Sequence, residues 1–368
     1  MKIRSIELRN YRNYESLSLS LDDGINVFLG QNAQGKTNVL EAVYYSALAR
    51  SHRTSVDGEL IRWEEPKGFL SLVFERMGVE NTLEFHFERG KRRRILYNGL
   101  SIRTKDLVGA VNVVLFSPED LFLIKGAPAG RRRFLDMEIS QADPAYFHDL
   151  TVYTRVITQR NMLLKKIRER LTDRSMLDVW DEQLSPLAAR IVKKRQAAVK
   201  LLHGIADRMQ RKISGNEEEL LLEYELHGAE EGIVTEELSS WYNQKLREAR
   251  ELDILRGATS VGPHRDDLAF MVNGMDLRSY GSQGQQRTGV LALKLSELAF
   301  FREETGEYPI LLLDDVMSEL DRGRREKLID FIREEHIQTL ITATDEAYFP
   351  EKEFGRMYHV KAGTVTAG

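Results

Sequence analysis

Ile25-Asn26-Val27-Phe28-Leu29-Gly30-Gln31-Asn32-Ala33-Gln34-Gly35-Lys36-Thr37 is an apolar run that enters a glycine-framed loop and ends in Lys-Thr. The spacing Gly30-x4-Gly35-Lys36-Thr37 reads as a phosphate-binding loop. Bare backbone N–H groups can wrap the phosphates of a nucleoside triphosphate, the lysine reaches the β and γ groups, and the threonine hydroxyl holds Mg²⁺. The flanks support this reading over a plain glycine turn. Ile25–Leu29 has strand character, and the residues from Thr37 to Tyr44 can open a helix whose N-terminus faces the anion. Gly30, Asn32, Ala33, Gln34, Gly35, Lys36, Thr37 and Asn38 are therefore the expected ATP-binding residues.

A phosphate loop needs a metal-holding carboxylate, and Ile310-Leu311-Leu312-Leu313-Asp314-Asp315 supplies one. An almost wholly apolar run of this length reads as a buried parallel strand, and acids at its C-terminal end lie where α/β folds bind ligands. Ser318-Glu319-Leu320-Asp321 follows directly, and a last strand, Thr339-Leu340-Ile341-Thr342-Ala343-Thr344-Asp345, also ends in polar residues. Upstream, Ser279-Tyr280-Gly281-Ser282-Gln283-Gly284-Gln285-Gln286-Arg287 leads into a helix with Leu291, Leu295, Leu298 and Ala299 on one side. Ser282 stands at an N-cap position, and Gly284 lets an incoming group approach free N–H groups.

The stretch between the phosphate loop and residue 107 is rich in β signals. Phe69–Phe74 and Leu83–Phe87 read as strands, and Ile95–Ile102 as a hairpin turning on Asn98-Gly99. Near the start, Arg9-Asn10-Tyr11-Arg12-Asn13-Tyr14 is either a surface turn or a place where Arg12 or a tyrosine stacks on a base. Ala110–Phe116 is a further apolar run, ended by Ser117-Pro118-Glu119-Asp120, which suits the start of a helix. Arg131-Arg132-Arg133 then sits at a helix N-terminus against the macrodipole, so acidic side chains or a phosphate should compensate it.

From about Pro144 to Ser214 two apolar stripes follow helical spacing: Leu150, Tyr153, Ile157, Leu164, Ile167 and Leu171, then Leu184, Ala188, Ile191, Ala198, Leu202, Ile205 and Met209. Arg160 and Arg195 interrupt them, and an antiparallel helical hairpin is expected, with Pro186 starting or kinking its second helix. His264 in Gly262-Pro263-His264-Arg265-Asp266-Asp267 has poor ligand spacing for a metal and reads as a satisfied turn. Phe270–Met275 is a second hairpin signal.

Composition bounds the function. The chain has 368 residues, 42% hydrophobic and 30% charged, with no apolar run near the ~20 residues that span a bilayer. There are no cysteines, which excludes disulfides and thiolate chemistry and fits a cytoplasmic protein. With 53 basic and 57 acidic residues the net charge of −4 does not announce a nucleic-acid partner, but the distribution is uneven. Cations cluster at Lys91-Arg92-Arg93-Arg94, Arg131–Arg133, Lys165–Arg170 and Lys193-Lys194-Arg195, and acids at Glu217–Glu219 and Glu236-Glu237.

The order of these elements resembles the ATP-binding-cassette superfamily, and within it the structural-maintenance and Rad50-type branch that includes bacterial recombination mediators. Ser282-Gln283-Gly284-Gln285 is similar to the signature motif, Leu313-Asp314-Asp315 to Walker B, and Ser318-Glu319-Leu320-Asp321 to the D-loop. The resemblance implies an α/β fold: an ABC-type P-loop ATPase head, with a mixed β-sheet, helices and an antiparallel β subdomain, plus an inserted helical lobe. Residues 1–109 and 255–368 would form the ATPase lobe and 110–254 the helical one.

It also implies roles. Lys36, the loop amides and Arg12 would bind ATP, Thr37 and Asp314 would hold Mg²⁺, and Asp315 would orient or deprotonate the attacking water. Ser282, Gly284 and Gln285 would meet ATP on a second copy of the chain, so that ATP holds a homodimer together. Ser318 and Asp321 would be D-loop residues and Thr344 the switch residue. Three departures imply slow hydrolysis: Asp315 replaces the usual Glu, Thr344 the usual switch His, and Ser117-Pro118 the usual Q-loop glutamine. Partners implied are DNA, as duplex or as a junction of single and double strands, and the mediators RecR and RecO, with no membrane. The activity implied is recombinational repair through recombinase loading, and replication-fork maintenance. Arg92, Arg93, Arg131, Arg132, Lys193 and Lys194 are the candidate DNA contacts, to backbone without base readout. A transporter ATPase subunit and a metabolite kinase are the competing readings. The first would more often carry the missing Glu and His, and the second would leave Ser282–Gln285 without a role.

Overall fold

The structure, a computed structural model, describes residues 1–229, 237–349 and 355–368; Glu236 of the acidic pair lies outside the described residues. The first strands in chain order are β1 (Lys2–Tyr11), β2 (Tyr14–Ser20), β3 (Ile25–Leu29), β4 (Lys67–Arg76), β5 (Val79–Glu88), β6 (Arg94–Tyr97), β7 (Leu100–Ile102) and β8 (Val113–Phe116). They are followed by β9 (Leu220–Glu225), β10 (Asp267–Val272), β11 (Met275–Asp276), β12 (Ile310–Asp314), β13 (Thr339–Ala343), β14 (Arg356–Lys361) and β15 (Thr364–Ala367).

The central sheet has the order β15-β14-β3-β13-β12-β8, parallel except for the β14–β15 hairpin. Its inner strands read as unbroken apolar runs because both faces are covered: all five residues of β3 and of β13 are buried, as are Ile310–Leu313 of β12. Parallel pairing brings the C-terminal ends of β3, β13 and β12 side by side. The phosphate loop, Thr344 and the Asp314-Asp315 pair, distant in sequence, therefore emerge at one edge of the same sheet.

The second sheet is antiparallel, in the order β2-β1-β4-β5-β6-β7, and follows period-two burial: Leu8, Leu70, Phe85 and Ile95 face inward. Asn98 and Gly99, at φ of +49° and +79°, make the expected two-residue turn between β6 and β7. Asn273 and Gly274 do the same between β10 and β11.

The chain divides into two compact units, Met1–Asp120 with Lys294–Gly368, and Leu121–Leu293. This differs from a division at residues 110 and 254. β8 pairs with β12 and so belongs to the ATPase sheet, while β10 pairs with β9 on one side and β11 on the other, and all three stay with the helices. In the second unit, helices Pro144–Arg168 and Met176–Ser214 form the expected hairpin. Pro186 does not start the second helix but lies ten residues inside it, and Leu171 lies beyond the end of the first, exposed. After Ser117 there is only a 3₁₀ turn and one turn of α-helix before the longer helix Pro128–Ala142. Among the described residues no helix is long and apolar enough to cross a membrane.

Candidate nucleotide site

The loop after β3 closes because its glycines allow what a side chain would forbid. A Cβ on Gly30 would lie 2.3 Å from the Val360 carbonyl oxygen, and Gly35 takes φ +116° against the side chain of Asn13. The loop is braced from two sides. Asn13 Nδ2 donates to Gln34 O at 2.9 Å and the Tyr14 hydroxyl to Gly35 O at 3.0 Å. From the C-terminal hairpin, Ala362 N–H donates to Gln34 Oε1 at 2.7 Å and Gly363 N–H to Gln34 O at 3.1 Å. Asn38, just inside the helix Lys36–Leu48, is tied to Asn13 and to Arg53. Asn32 and Ala33 form the turn of the loop, Ala33 with φ +63°.

Lys36 is buried, and among the described residues its ammonium is held by the carbonyl oxygens of Gly30, at 2.7 Å, and Gln31, at 2.9 Å. Burial draws its pKa below the ordinary lysine value, opposed by Asp315 and Asp314. At the end of β12, Asp314 Oδ1 accepts from the Thr37 hydroxyl at 2.9 Å and from the Thr342 hydroxyl at 2.7 Å. Asp315 takes a left-handed conformation, φ +56°, fixed by its N–H donating to Thr342 Oγ1 at 2.9 Å. Its own Oδ1 is buried with no hydrogen-bond partner among the described residues. Burial raises the Asp315 pKa, Asp314 adds to the rise, and Lys36 opposes it. A buried ammonium on two carbonyls and a carboxylate oxygen without a donor among the described residues are incompletely partnered charges, each acting on the other's ionisation. Beside them an open cleft of about 480 Å³ is lined by Gly30, Gln31, Gln34, Thr344 and His359.

The other expected residues have varied surroundings. Arg12 pairs with Glu41, at 2.8 and 2.5 Å, and donates to the Glu59 carbonyl at 2.9 Å, three of its five N–H groups. Burial alone would raise Glu41, but hydrogen bonds from Arg12 and Ser51 hold it below the usual carboxylate range. Ser318 donates to the Asp315 carbonyl at 2.8 Å, and Asp321 caps the helix Arg322–Glu334 through Arg324 N–H at 3.0 Å. Ser117 binds Asp120 and Glu119 within its own turn. In the second unit, Ser282 and Gln285 form a reciprocal capping box on the helix Gln283–Thr305: Gln285 N–H donates to Ser282 Oγ and Ser282 N–H to Gln285 Oε1. Gly284, between them, is half-buried.

Among the candidate DNA contacts, Arg131 is buried and pairs with Asp267 through two 2.7 Å bonds, which is the acidic compensation its helix N-terminus required. Arg132 donates to the Asp266 carbonyl, Arg93 pairs with Asp57, and Lys194 with Asp143. Arg92 and Lys193 are exposed. His264 sits between the Tyr153 hydroxyl and the Thr259 carbonyl, a satisfied turn as expected, and no metal-ligand cluster occurs among the described residues.

Thr342, Asn13, Tyr14 and the β14–β15 hairpin are supports that sequence reasoning misses. Thr342 stands opposite Asp314 in the β12–β13 register, so sheet order alone makes it a partner.

A family model for the RecF/RecN/SMC N-terminal domain matches residues 2–366. The DNA replication and repair protein RecF of Lachnoclostridium phytofermentans is 43% identical over 374 residues, covering 100% of both chains. A solved structure of the recombination mediator protein RecF with ATP, from the RecFOR pathway, superposes with a TM-score of 0.91 at 35% identity, covering 100% of this chain and 97% of that one. An Smc head bound to the C-terminal winged-helix domain of ScpA superposes with a TM-score of 0.60 at 14% identity, covering 100% and 97%, a likeness of fold.

Proposed function

The chain belongs to the RecF/RecN/SMC family, and within it to the RecF proteins of DNA replication and repair, with the ABC-type ATPase head fold; on that premise we propose that it is an ATP-gated DNA clamp. Two copies close head to tail on ATP, retain DNA through its backbone, and reopen after slow hydrolysis. The observation that carries the reading is the pair of incompletely partnered charges, Lys36 and Asp315, at the mouth of a phosphate loop.

The residues present fit ATP with Mg²⁺. Lys36 can exchange its two carbonyl partners for phosphate oxygens, which relieves the desolvation of its ammonium. Thr37 and Asp314 would hold Mg²⁺, which when bound supplies neutralisation of the charge on the phosphates. Thr342 keeps Asp314 aimed and fixes the Asp315 backbone, leaving Asp315 Oδ1 to orient a water or take its proton. Ser282, Gly284 and Gln285 complete the site of the second copy, the helix N-terminus they cap being suited to an anion. Glu is replaced by a carboxylate one methylene shorter and the switch histidine by Thr344, so turnover stays below ~1 s⁻¹, the low end for ordinary enzymes. Recombinational repair with RecO and RecR as partners, and replication-fork maintenance, follow from likeness to the RecFOR mediator.

Gel filtration and filter binding with ATP, ADP and no nucleotide test this. Lys36→Ala should remain a monomer and retain no duplex DNA. Asp315→Asn should accumulate as a dimer on DNA in ATP. A Lys36→Ala protein that still dimerises with ATP sinks the proposal.

A further inference from the structure

The outer face of the antiparallel sheet carries a feature that the nucleotide site does not use. Register places Arg9 opposite Phe69, Phe69 opposite His86 and His86 opposite Arg94, one row across β1, β4, β5 and β6. The neighbouring inward row is Leu8, Leu70, Phe85 and Ile95, all buried. Period-two alternation therefore holds the polar row rigidly on a packed core. The Arg9 guanidinium lies 5.0 Å from the Phe69 ring centroid, and the His86 ring 5.1 Å from it on the neighbouring strand. Three planar groups thus lie in contact along one open surface as a platform, the Phe69 and His86 rings tilted at 57° to each other.

A cleft of about 470 Å³ opens over this row, within the ~300–1,000 Å³ range of ligand clefts. Arg9, Lys67, Lys91, Arg92 and Arg94 line it against a single carboxylate, Glu88. Lys91 is paired with Glu88 at 2.8 Å and Arg9 with Glu7 at 2.6 Å. Arg92 and Arg94 are exposed and pair with no carboxylate among the described residues. His86 is exposed and touches Glu84 at 3.1 Å, so its ring edge is held.

Unpaired cations alone would serve any polyanion. Planar groups set among them select an anion that also offers flat apolar faces, and a duplex keeps such faces stacked inside itself. We propose that this cleft binds single-stranded nucleic acid, a base stacking on the Arg9–Phe69–His86 platform while Arg92, Arg94 and Lys67 hold the flanking phosphates. The proposal deepens the DNA reading of the chain and rests on it: it assigns the unpaired strand to one unit of each copy, outside the nucleotide site.

The test is fluorescence anisotropy of a labelled twelve-nucleotide oligothymidine titrated with the full chain at several salt concentrations, with ATP-dependent duplex retention measured in parallel. Each phosphate contact adds about 0.7 to the slope of log K against log salt for a single strand, so Arg92→Ala with Arg94→Ala should lower that slope by about 1.4. His86→Ala, an exposed change that leaves the fold intact, and Phe69→Ala should each weaken binding roughly 5- to 100-fold without altering the slope. Unfolding midpoints accompany Phe69→Ala, whose ring is half-buried. Variants that bind the oligomer like wild type, with duplex retention intact, overturn the cleft and leave the clamp standing. A decaglutamate peptide bound where the oligomer is not would assign the face to an acidic partner and also overturn it. Failure of wild type to retain duplex in ATP counts against the clamp, while the oligomer titration still decides the cleft.

Discussion

The phosphate loop and the base of the helical hairpin each bury a cation, and they treat it differently. Lys36 has two carbonyl partners, and Asp315, whose charge acts on it, has an oxygen with none among the described residues. Arg195, 2% exposed, has a partner on every nitrogen: Asp136 on Nε and Nη2, the Tyr146 hydroxyl on Nε, and the Tyr224 hydroxyl and Pro263 carbonyl on Nη1. A buried charge left incomplete marks a place that a ligand completes, and one fully matched marks scaffold. Both occur beside basic or glycine-rich stretches that look equally functional in one dimension.

The sharpest way to break this contrast is to remove the incomplete charge. Asp315→Asn should lower ATP hydrolysis roughly 10²- to 10⁴-fold, the range of a lost general base, measured by phosphate release at saturating ATP. Its unfolding midpoint should not fall. Because burial raises the Asp315 pKa in the folded chain, the folded state prefers the protonated form. Ionisation therefore costs stability as pH rises through the carboxylate range, and the cost vanishes where both states are protonated. The variant should be the more stable protein at pH 7, with the gap closing toward pH ~4. A variant less stable than wild type at neutral pH would mean that Asp315 is structural after all.

The second test removes the complete charge. Arg195→Leu leaves Asp136 with the hydroxyl of the buried Tyr146 and without its cation, and should cost about 3–5 kcal/mol in urea unfolding. ATP binding by the molecules still folded should be unchanged. If nucleotide affinity fell while the unfolding midpoint held, the division between scaffold and site would be wrong.

What could be read in one dimension follows the same physics. Lys36, Thr37, Asp314 and Asp315 are legible because their chemistry needs fixed local spacing beside an apolar strand. The two antiparallel turns are legible because Asn-Gly demands positive φ. Thr342 is not legible, since its role arises from register with a strand that begins 29 residues earlier in the chain. The brace on Gln34 from Ala362 and Gly363 is made across 328 residues or more, through sheet order. Arg131, Arg160 and Arg195 interrupt basic runs or apolar stripes without any sign of their partners. Each is buried with a carboxylate contributed by a different element, so charge runs overstate the cationic surface. Ser282 and Gln285 carry two meanings at once, because Ser-x-x-Gln is a capping box whether or not a phosphate arrives.

The smallest effect is the most diagnostic of the scaffold's polarity. His264 accepts from the Tyr153 hydroxyl at 2.7 Å and donates to the Thr259 carbonyl at 3.0 Å, so the neutral ring is fully used. Burial pushes its pKa down to about 4, with Arg265 and Arg132 opposing protonation further and the Thr259 carbonyl and Asp253 favouring it. The sign is opposite to that of Asp315. A folded pKa depressed below the unfolded value of ~6.5 contributes stability that is complete above ~6.5 and lost as pH falls toward ~4. The loss can reach at most tenfold in the folding equilibrium per pH unit in that window. Unfolding midpoints measured from pH 7 to pH 4.5 should therefore fall less steeply for His264→Gln than for wild type, although the variant starts lower. Parallel curves for the two proteins would mean that the acid-sensitive groups lie elsewhere in the unit, and that the turn is held by backbone geometry without the ring.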